Sequence, residues 1–345
     1  MKILNVIYNK GRGGLEQMYL SHSDMMRELG HTVVALLPRD SLVEADLHTR
    51  NIDIHYNASI TNSLSHLNPL SVRALRKTFH SISPDIIILH NFRSLALVNK
   101  AAKGMCPVVA VHHGGNTKRL RSHSGPVLCV AKYMVAALHQ MGIEKNRLYH
   151  LPNSIVVNTP YRGKTLQPEV PITIGSIGRL SHEKGMDIFI EALASLEIPY
   201  RGIIAGDGPL KDTLQKQAKH LDANIDFWGW VDAKGKEQFF QQCDLFVIAS
   251  RHEPFGLTIL ESWAHSCPVL STNTLGGQEL IDHKRTGWLI ESGTPPCMAE
   301  GISDFMRTNN TSNITNTAYD HLIDNYTYPN VKEQFSLILK QIAKY

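Results

Sequence analysis

The chain has 345 residues, more than one hydrophobic core typically organises, and suits two domains of roughly 150–200 residues each. Its 43% hydrophobic content, without a low-complexity tract, reads as a soluble globular protein, and no apolar run approaches the roughly 18–20 residues that span a bilayer. Charge is uneven: residues 1–150 carry 18 Lys+Arg against 9 Asp+Glu, residues 151–345 carry 17 against 22, so the first half asks for an anionic partner.

Strands and helices alternate along the chain, the pattern of a parallel α/β architecture. Ile3–Tyr8 reads as a first core strand, since Met1–Tyr8 is too short and too soon interrupted for a signal peptide. Leu15, Met18, Met25, Met26 and Leu29 then form a helical stripe that Gly30 stops. Thr32–Leu37, Asp85–His90, Val108–His112 and Val127–Val130 follow as strands. Between them, Arg73, Arg76, Lys77 and His80 share one helical face and Leu75, Phe79 and Ile82 another. Asn153–Pro171 is rich in Pro, Asn and Thr and aperiodic, and reads as an interdomain connection. The scheme then restarts. Ile172–Ile177, Gly202–Ala205, Ile225–Trp228, Leu245–Ala249 and Val269–Thr272 read as strands, with helices around Met186–Ala194, Leu210–His220, Lys236–Gln242 and Leu257–Ser266. Two doubly wound domains of this kind bind ligands at the C-terminal ends of their sheets.

The richest stretch is Glu253-Pro254-Phe255-Gly256-Leu257-Thr258-Ile259-Leu260-Glu261, directly after a buried strand. A strand, a tight turn and a helix N-terminus make an anion site, because the first helical amides have no partner within the helix. Glu261 lies about one helical turn further in, within reach of a hydroxyl-bearing part of the same ligand. Gly11-Arg12-Gly13-Gly14-Leu15-Glu16 opens the first helix and lets backbone approach a ligand closely. It is an incomplete dinucleotide fingerprint, lacking the third Gly and an acidic end to the second strand, which argues against NAD; a purely structural turn is the alternative. His112-His113-Gly114-Gly115 ends a strand where a functional histidine would sit, or where a histidine is simply satisfied at the sheet edge. Gly178-Arg179-Leu180-Ser181-His182-Glu183-Lys184-Gly185 follows the first strand of the second half, either a cationic site or a solvated turn. Gly206-Asp207-Gly208-Pro209 turns into a helix, and Phe227-Trp228-Gly229-Trp230 groups aromatic residues that a plain core would equally explain.

Taken together, these motifs resemble the retaining glycosyltransferases of the GT-B fold, group 1 or family 4, most densely from Gly178 to Leu289. Leu275-Gly276-Gly277-Gln278-Glu279 and Thr286-Gly287-Trp288-Leu289 match the family's following turns. The linker departs from it, with Pro152-Asn153-Ser154-Ile155-Val156 where members often have Pro-Asn-Gly-x-Asp. The resemblance implies two Rossmann-like domains facing across a cleft. Residues 1–155 would bind the acceptor and 156–327 the nucleotide sugar, with a last helix over about 328–345 packing back on the first domain. It also implies roles. Arg179 and Lys184 would hold the leaving diphosphate, Glu253 the sugar hydroxyls, and Glu261 the ribose. The amides of Phe255, Gly256 and Leu257 would face phosphate, with Gly13, Gly14, Gly178, Gly206, Gly208 and Trp230 completing the donor site. The histidine near the donor sugar matches His113, with His112 the fallback in register. Glu16 would face the acceptor, and Lys118, Arg119 and Arg121 could hold a phosphorylated one.

The implied activity is transfer of a hexosyl-type sugar from a nucleoside-diphosphate sugar, UDP favoured and GDP next, to a glycan or glycolipid of lipopolysaccharide, O-antigen or capsule synthesis. Retention comes from the resemblance. No Asp-x-Asp occurs, so neither a metal nor a cofactor is expected. The five cysteines are scattered without a C-x-x-C, which suits reduced thiols in a cytoplasmic protein. The basic helix face could rest on the anionic inner membrane surface, or be an ordinary solvated face. Nucleic acid is disfavoured, because aromatic residues do not interleave with these charges. The rival readings are a non-catalytic nucleotide-sugar-binding protein, a same-fold epimerase or phosphorylase, and a membrane adaptor needing only the Arg73–His80 face.

Overall fold

Ile86-Ile87-Ile88-Leu89 contains no polar residue, as a strand covered on both faces requires. It sits at the centre of a seven-stranded sheet. A computed structural model of the protein describes residues 1–9, 11, 13–57, 64–90, 92–115, 117–158, 171–291 and 293–343. The chain divides into two compact units, Met1–Ser154 with Pro329–Tyr345, and Ile155–Tyr328. Most of the expected connection Asn153–Pro171 lies outside the described residues, as do Arg12 and its neighbour Lys10.

Unit 1 carries β1 (Lys2–Val6), β2 (Thr32–Leu37), β3 (Asp53–Tyr56), β4 (Ile86–Leu89), β5 (Val108–His112), β6 (Val127–Cys129) and β7 (Leu148–His150). Their order is β3-β2-β1-β4-β5-β6-β7, and every pairing is parallel. The order reverses direction between β1 and β4, so a crevice opens at their C-terminal ends. Helices α1 (Gly14–Glu28), α2 (Glu44–Thr49), α3 (Pro69–Ile82), α4 (Leu95–Ala102) and α5 (Lys132–Gln140) make the crossovers. The buried face of α1 is more polar than its apolar stripe: Glu16, Tyr19, His22 and Ser23 are buried beside Met18, Met25 and Met26. Asn5 of β1 explains part of this, donating to Ser23 Oγ at 2.8 Å while Tyr19 OH donates to Asn5 O. On α3, Leu75, Phe79 and Ile82 are buried, and Arg73, Lys77 and His80 are exposed. Arg76 leaves the basic face, donating to Ala101 O and Lys103 O at the end of α4.

Unit 2 repeats the scheme with β8 (Ile172–Ile177), β9 (Tyr200–Ala205), β10 (Ile225–Gly229), β11 (Leu245–Ile248), β12 (Val269–Thr272) and β13 (Trp288–Ile290). The order is β10-β9-β8-β11-β12-β13, again parallel throughout. The reversal falls between β8 and β11. Helices α6 (Met186–Ala194), α7 (Lys211–His220), α8 (Ala233–Gln242), α9 (Leu257–Ala264), α10 (Leu275–Leu280), α11 (Pro295–Arg307) and α12 (Thr311–Asn325) surround it. The core of this unit gathers Ile174, Phe189, Leu245, Val247, Leu270 and Trp288, all fully or nearly fully buried. The last helix, α13 (Tyr328–Ile342), packs in unit 1. There Phe335 lies against His22, Lys332 pairs with Glu28, and Gln334 Nε2 donates to His150 O.

Candidate active site

In unit 2 the loops after β8 and β11 meet. Gly185, at φ +63°, caps α6, and a Cβ there would lie 2.0 Å from Ala249 O, so only glycine allows the two backbones this close. Arg251 clamps the contact, donating through both Nη atoms to Asp187 at 2.7 and 2.6 Å, and through Nη1 to His182 O. This bidentate pair holds the Asp187 carboxyl below the ordinary carboxylate range. Neither partner stands out in the sequence, since both lie between the motif residues.

The loop contact brings Lys184 and Glu253 together. Lys184 Nζ donates to Glu253 Oε2 at 2.6 Å, with the lysine side chain 31% exposed and the glutamate 10%. Arg179, on the same loop, is exposed. Phe255 is buried with its ring against Tyr326. Gly256 has φ +94° and opens α9 without a side-chain cap, which leaves the amides of Leu257 and Thr258 to external acceptors, whereas Ile259 N already donates to Gly256 O.

The neighbouring turn is tied by backbone. Gly206 N donates to Gly229 O at 2.7 Å, Gly208 N to Asp207 Oδ1, and Leu180 N to Asp207 O. The amides of Gly206 and Gly208 are thus already engaged, and these glycines shape the loop by letting it pack on Gly178 and Leu180. Trp230 stands beyond the end of β10, 64% exposed. Glu261, in contrast, is 12% exposed at its side chain and is met by a residue that the sequence motifs do not include: Lys236 Nζ of α8 donates to its Oε1 at 2.7 Å.

In unit 1 the crevice beside β1 and β4 holds a cavity of about 430 Å³. Tyr8, Asn9, His90, Arg93, His113 and Arg119 line it together with Leu15 and Phe92. His113 faces this cavity. His112 does not line it; its Nδ1 accepts from Gly114 N and its ring lies against Phe92. Behind His113 stand two more imidazoles. His113 Nε2 and His90 Nδ1 are 3.1 Å apart, one ring donating to the other, and His22 lies 5.2 Å behind His90 between ring centroids. Desolvation disfavours the imidazolium at each. Burial, with His22 and His112 nearby, takes His113 down to about 3. Burial takes His22 to about 4, and together with the flanking histidines it holds His90 well below the ordinary range. His113 is therefore a neutral hydrogen-bonding group.

The three cations expected beside the acceptor do not converge. Thr117–Ser122 forms a 3-10 turn in which Arg119 reaches the cavity and donates to Phe92 O. Lys118 and Arg121 are exposed and line no part of it. Arg93 joins Arg119 instead, its backbone N donating to Tyr8 OH. Glu16 is buried under Gly13, whereas Gly13 and Gly14 are exposed at the start of α1.

Comparison with known proteins adds the family. Residues 157–320 match the glycosyl transferases group 1 family, and residues 12–158 match glycosyltransferase family 4. A lipopolysaccharide core biosynthesis glycosyltransferase of Rhizobium meliloti is 35% identical over 150 residues, 43% of this chain and 43% of its own length. This chain thus spans less than half of that relative. The phosphatidyl-myo-inositol mannosyltransferase of Mycobacterium tuberculosis is 25% identical over 319 residues, 85% of this chain and 82% of its own. Among solved structures, Anabaena HepE in complex with UDP and glucose superposes with a TM-score of 0.83 at 22% identity, covering 99% of each chain. That likeness shows a shared fold.

Proposed function

This chain belongs to the group 1, family-4 type of glycosyltransferases with the GT-B fold, and from that premise we propose that it moves a hexosyl-type sugar from a nucleoside-diphosphate sugar to a glycan or glycolipid hydroxyl. The observation that carries the reading is the loop contact that sets Lys184 on Glu253, beside an uncapped helix N-terminus. A lysine and open amides suit a departing diphosphate, and a buried carboxylate suits sugar hydroxyls. UDP is the favoured nucleotide and GDP the next; HepE was crystallised with UDP and glucose. Unit 2 binds the donor and unit 1 the acceptor.

In the reaction the bond from the anomeric carbon to the phosphate oxygen breaks, and the diphosphate leaves with its electron pair. Arg179, Lys184 and the first amides of α9 hold the growing negative charge. The acceptor hydroxyl oxygen bonds to the anomeric carbon on the same face, and its proton passes to the departing phosphate. Configuration is retained, and Glu253 binds rather than attacks. His113, neutral at physiological pH, hydrogen-bonds the sugar. This reading calls for no metal, because Arg179, Lys184 and the α9 amides would take up the diphosphate charge.

The acceptor belongs to envelope synthesis, of the lipopolysaccharide, O-antigen or capsule kind; a lipopolysaccharide core enzyme is among the relatives. The reaction takes place in the cytoplasm at the inner face of the plasma membrane. Scattered cysteines without a C-x-x-C suit that compartment. Unit 1 offers a contact surface there: Leu67 and Leu70 are 66% and 74% exposed, next to Arg73, Lys77 and His80 on α3. The test is transfer from labelled UDP- and GDP-sugars to an envelope-lipid fraction in EDTA, with product configuration read by NMR. A retained linkage formed without metal is expected. Inversion, strict metal dependence, or transfer to small soluble acceptors alone would each overturn the corresponding part.

A further inference from the structure

Glu261 is anchored through one oxygen and open at the other. Oε1 takes the Lys236 ammonium at 2.7 Å, while Oε2 is buried and accepts no hydrogen bond among the described residues. An ionised carboxylate has about four acceptor positions and no donor. A buried one with an unused oxygen fits a ligand that brings hydroxyl donors.

The lysine is held in place by a second contact one turn along the same two helices. Phe240, four residues after Lys236, stacks on His265, four residues after Glu261, with ring centroids 5.0 Å apart and planes 19° apart. His265 Nδ1 in turn bonds Glu261 O at 2.7 Å. Lys236–Glu261 and Phe240–His265 are two rungs between α8 and the α9 segment, so this is not a loose surface ion pair.

Resting on the reading that Glu261 takes the ribose, we propose that Lys236 is a positioning residue. It fixes the Glu261 carboxylate to accept from the 2′-hydroxyl, and so selects ribonucleoside-diphosphate sugars over their 2′-deoxy counterparts. A 2′-deoxy donor leaves a desolvated acceptor with one donor fewer, the kind of mismatch that protein sites reject strongly. Without Lys236 the carboxylate is unpinned and can turn away, and the 2′ position is no longer read.

The test is calorimetric binding to the full chain of UDP against 2′-deoxy-UDP and of GDP against 2′-deoxy-GDP, for wild type, Lys236→Met, Lys236→Arg and Glu261→Gln. Wild type should favour the ribo form by at least on the order of tenfold. Lys236→Met should lose most of that preference at a near wild-type melting temperature, and Lys236→Arg should keep it. Lys236→Gln is the second variant if Met does not fold. A ribo preference undiminished in Lys236→Met or Lys236→Gln overturns the role of Lys236 and leaves the ribose reading standing. Equal binding of both forms by wild type, with Glu261→Gln unaffected, removes the ribose reading itself and the proposal with it.

Discussion

The two units bury polar groups in opposite ways. Unit 1 buries imidazoles and keeps them neutral: His22, His90 and His113 stand in a row, and His112 and His123 are pushed down to about 4. Unit 2 instead sets carboxylates against cations, each with its own partner: Lys184 on Glu253, Lys236 on Glu261, Arg251 on Asp187. A neutral imidazole is a hydrogen-bonding surface that repels no cation and attracts no anion. A pinned carboxylate is a directed acceptor, and its partner lysine is a ready cation. Polarity of the first kind suits reading a sugar or an acceptor. The second kind suits a ligand that carries both hydroxyls and phosphates.

The largest break in this contrast comes from Lys184→Ala. It removes the cation proposed for the diphosphate and leaves Glu253 buried without its partner. Transfer should fall by about 10²–10³-fold, as for loss of one preset charge-stabilising group. Initial rates at saturating donor check this, and a loss under tenfold would count against the pairing as part of the machinery.

Acid should separate the units. A histidine held neutral in the fold takes up its proton more readily when unfolded. Its contribution is therefore whole above about pH 6.5 and lost as the pH falls toward about 4. Asp187, depressed by Arg251, keeps its contribution until the pH falls below the ordinary carboxylate range. Trp228, Trp230, Trp263 and Trp288 all lie in unit 2, so tryptophan fluorescence reports that unit alone. Hydrogen exchange in α1 and β4 should accelerate between about pH 6 and 4.5 while tryptophan emission stays native. The reverse order would contradict the contrast.

The smallest effect is expected at the surface of unit 1. Arg73→Glu with Lys77→Glu should weaken co-sedimentation with anionic vesicles about tenfold or more, since each basic residue near such a surface contributes about 1 kcal/mol. Vesicle binding that is absent in wild type, or untouched by the pair, would remove the membrane surface from the account.

Central strands were legible in the sequence because burial on both faces leaves an apolar run, as in Ile86–Leu89 and Leu245–Ile248. Asp53–Tyr56, Leu148–His150 and Trp288–Ile290 were not. All three are edge strands of three or four residues, and β3 and β7 include polar side chains, so neither a run nor an alternation is long enough to read. The candidate site shows the same division. Glu253, Arg179 and Lys184 sit in glycine-marked turns that follow strands, and Glu261 in the helix that one of those turns opens. Lys236 lies in Lys234-Gly235-Lys236-Glu237, where nothing separates it from Lys234 until α8 packs beside α9. Arg93 and Arg251 acquire their neighbours only from the sheet order.

The central claim is that unit 2 is a preassembled nucleotide-sugar site. Thermal shift of the pure protein without added metal, against UDP-, GDP-, ADP- and dTDP-sugars, tests it most directly. A ligand at about 100 times its dissociation constant adds about 2.7 kcal/mol of stability. The account predicts a clear shift with a UDP- or GDP-sugar that is lost in both Lys184→Ala and Glu261→Ala. No shift with any nucleotide sugar, or one that survives both substitutions, would contradict it.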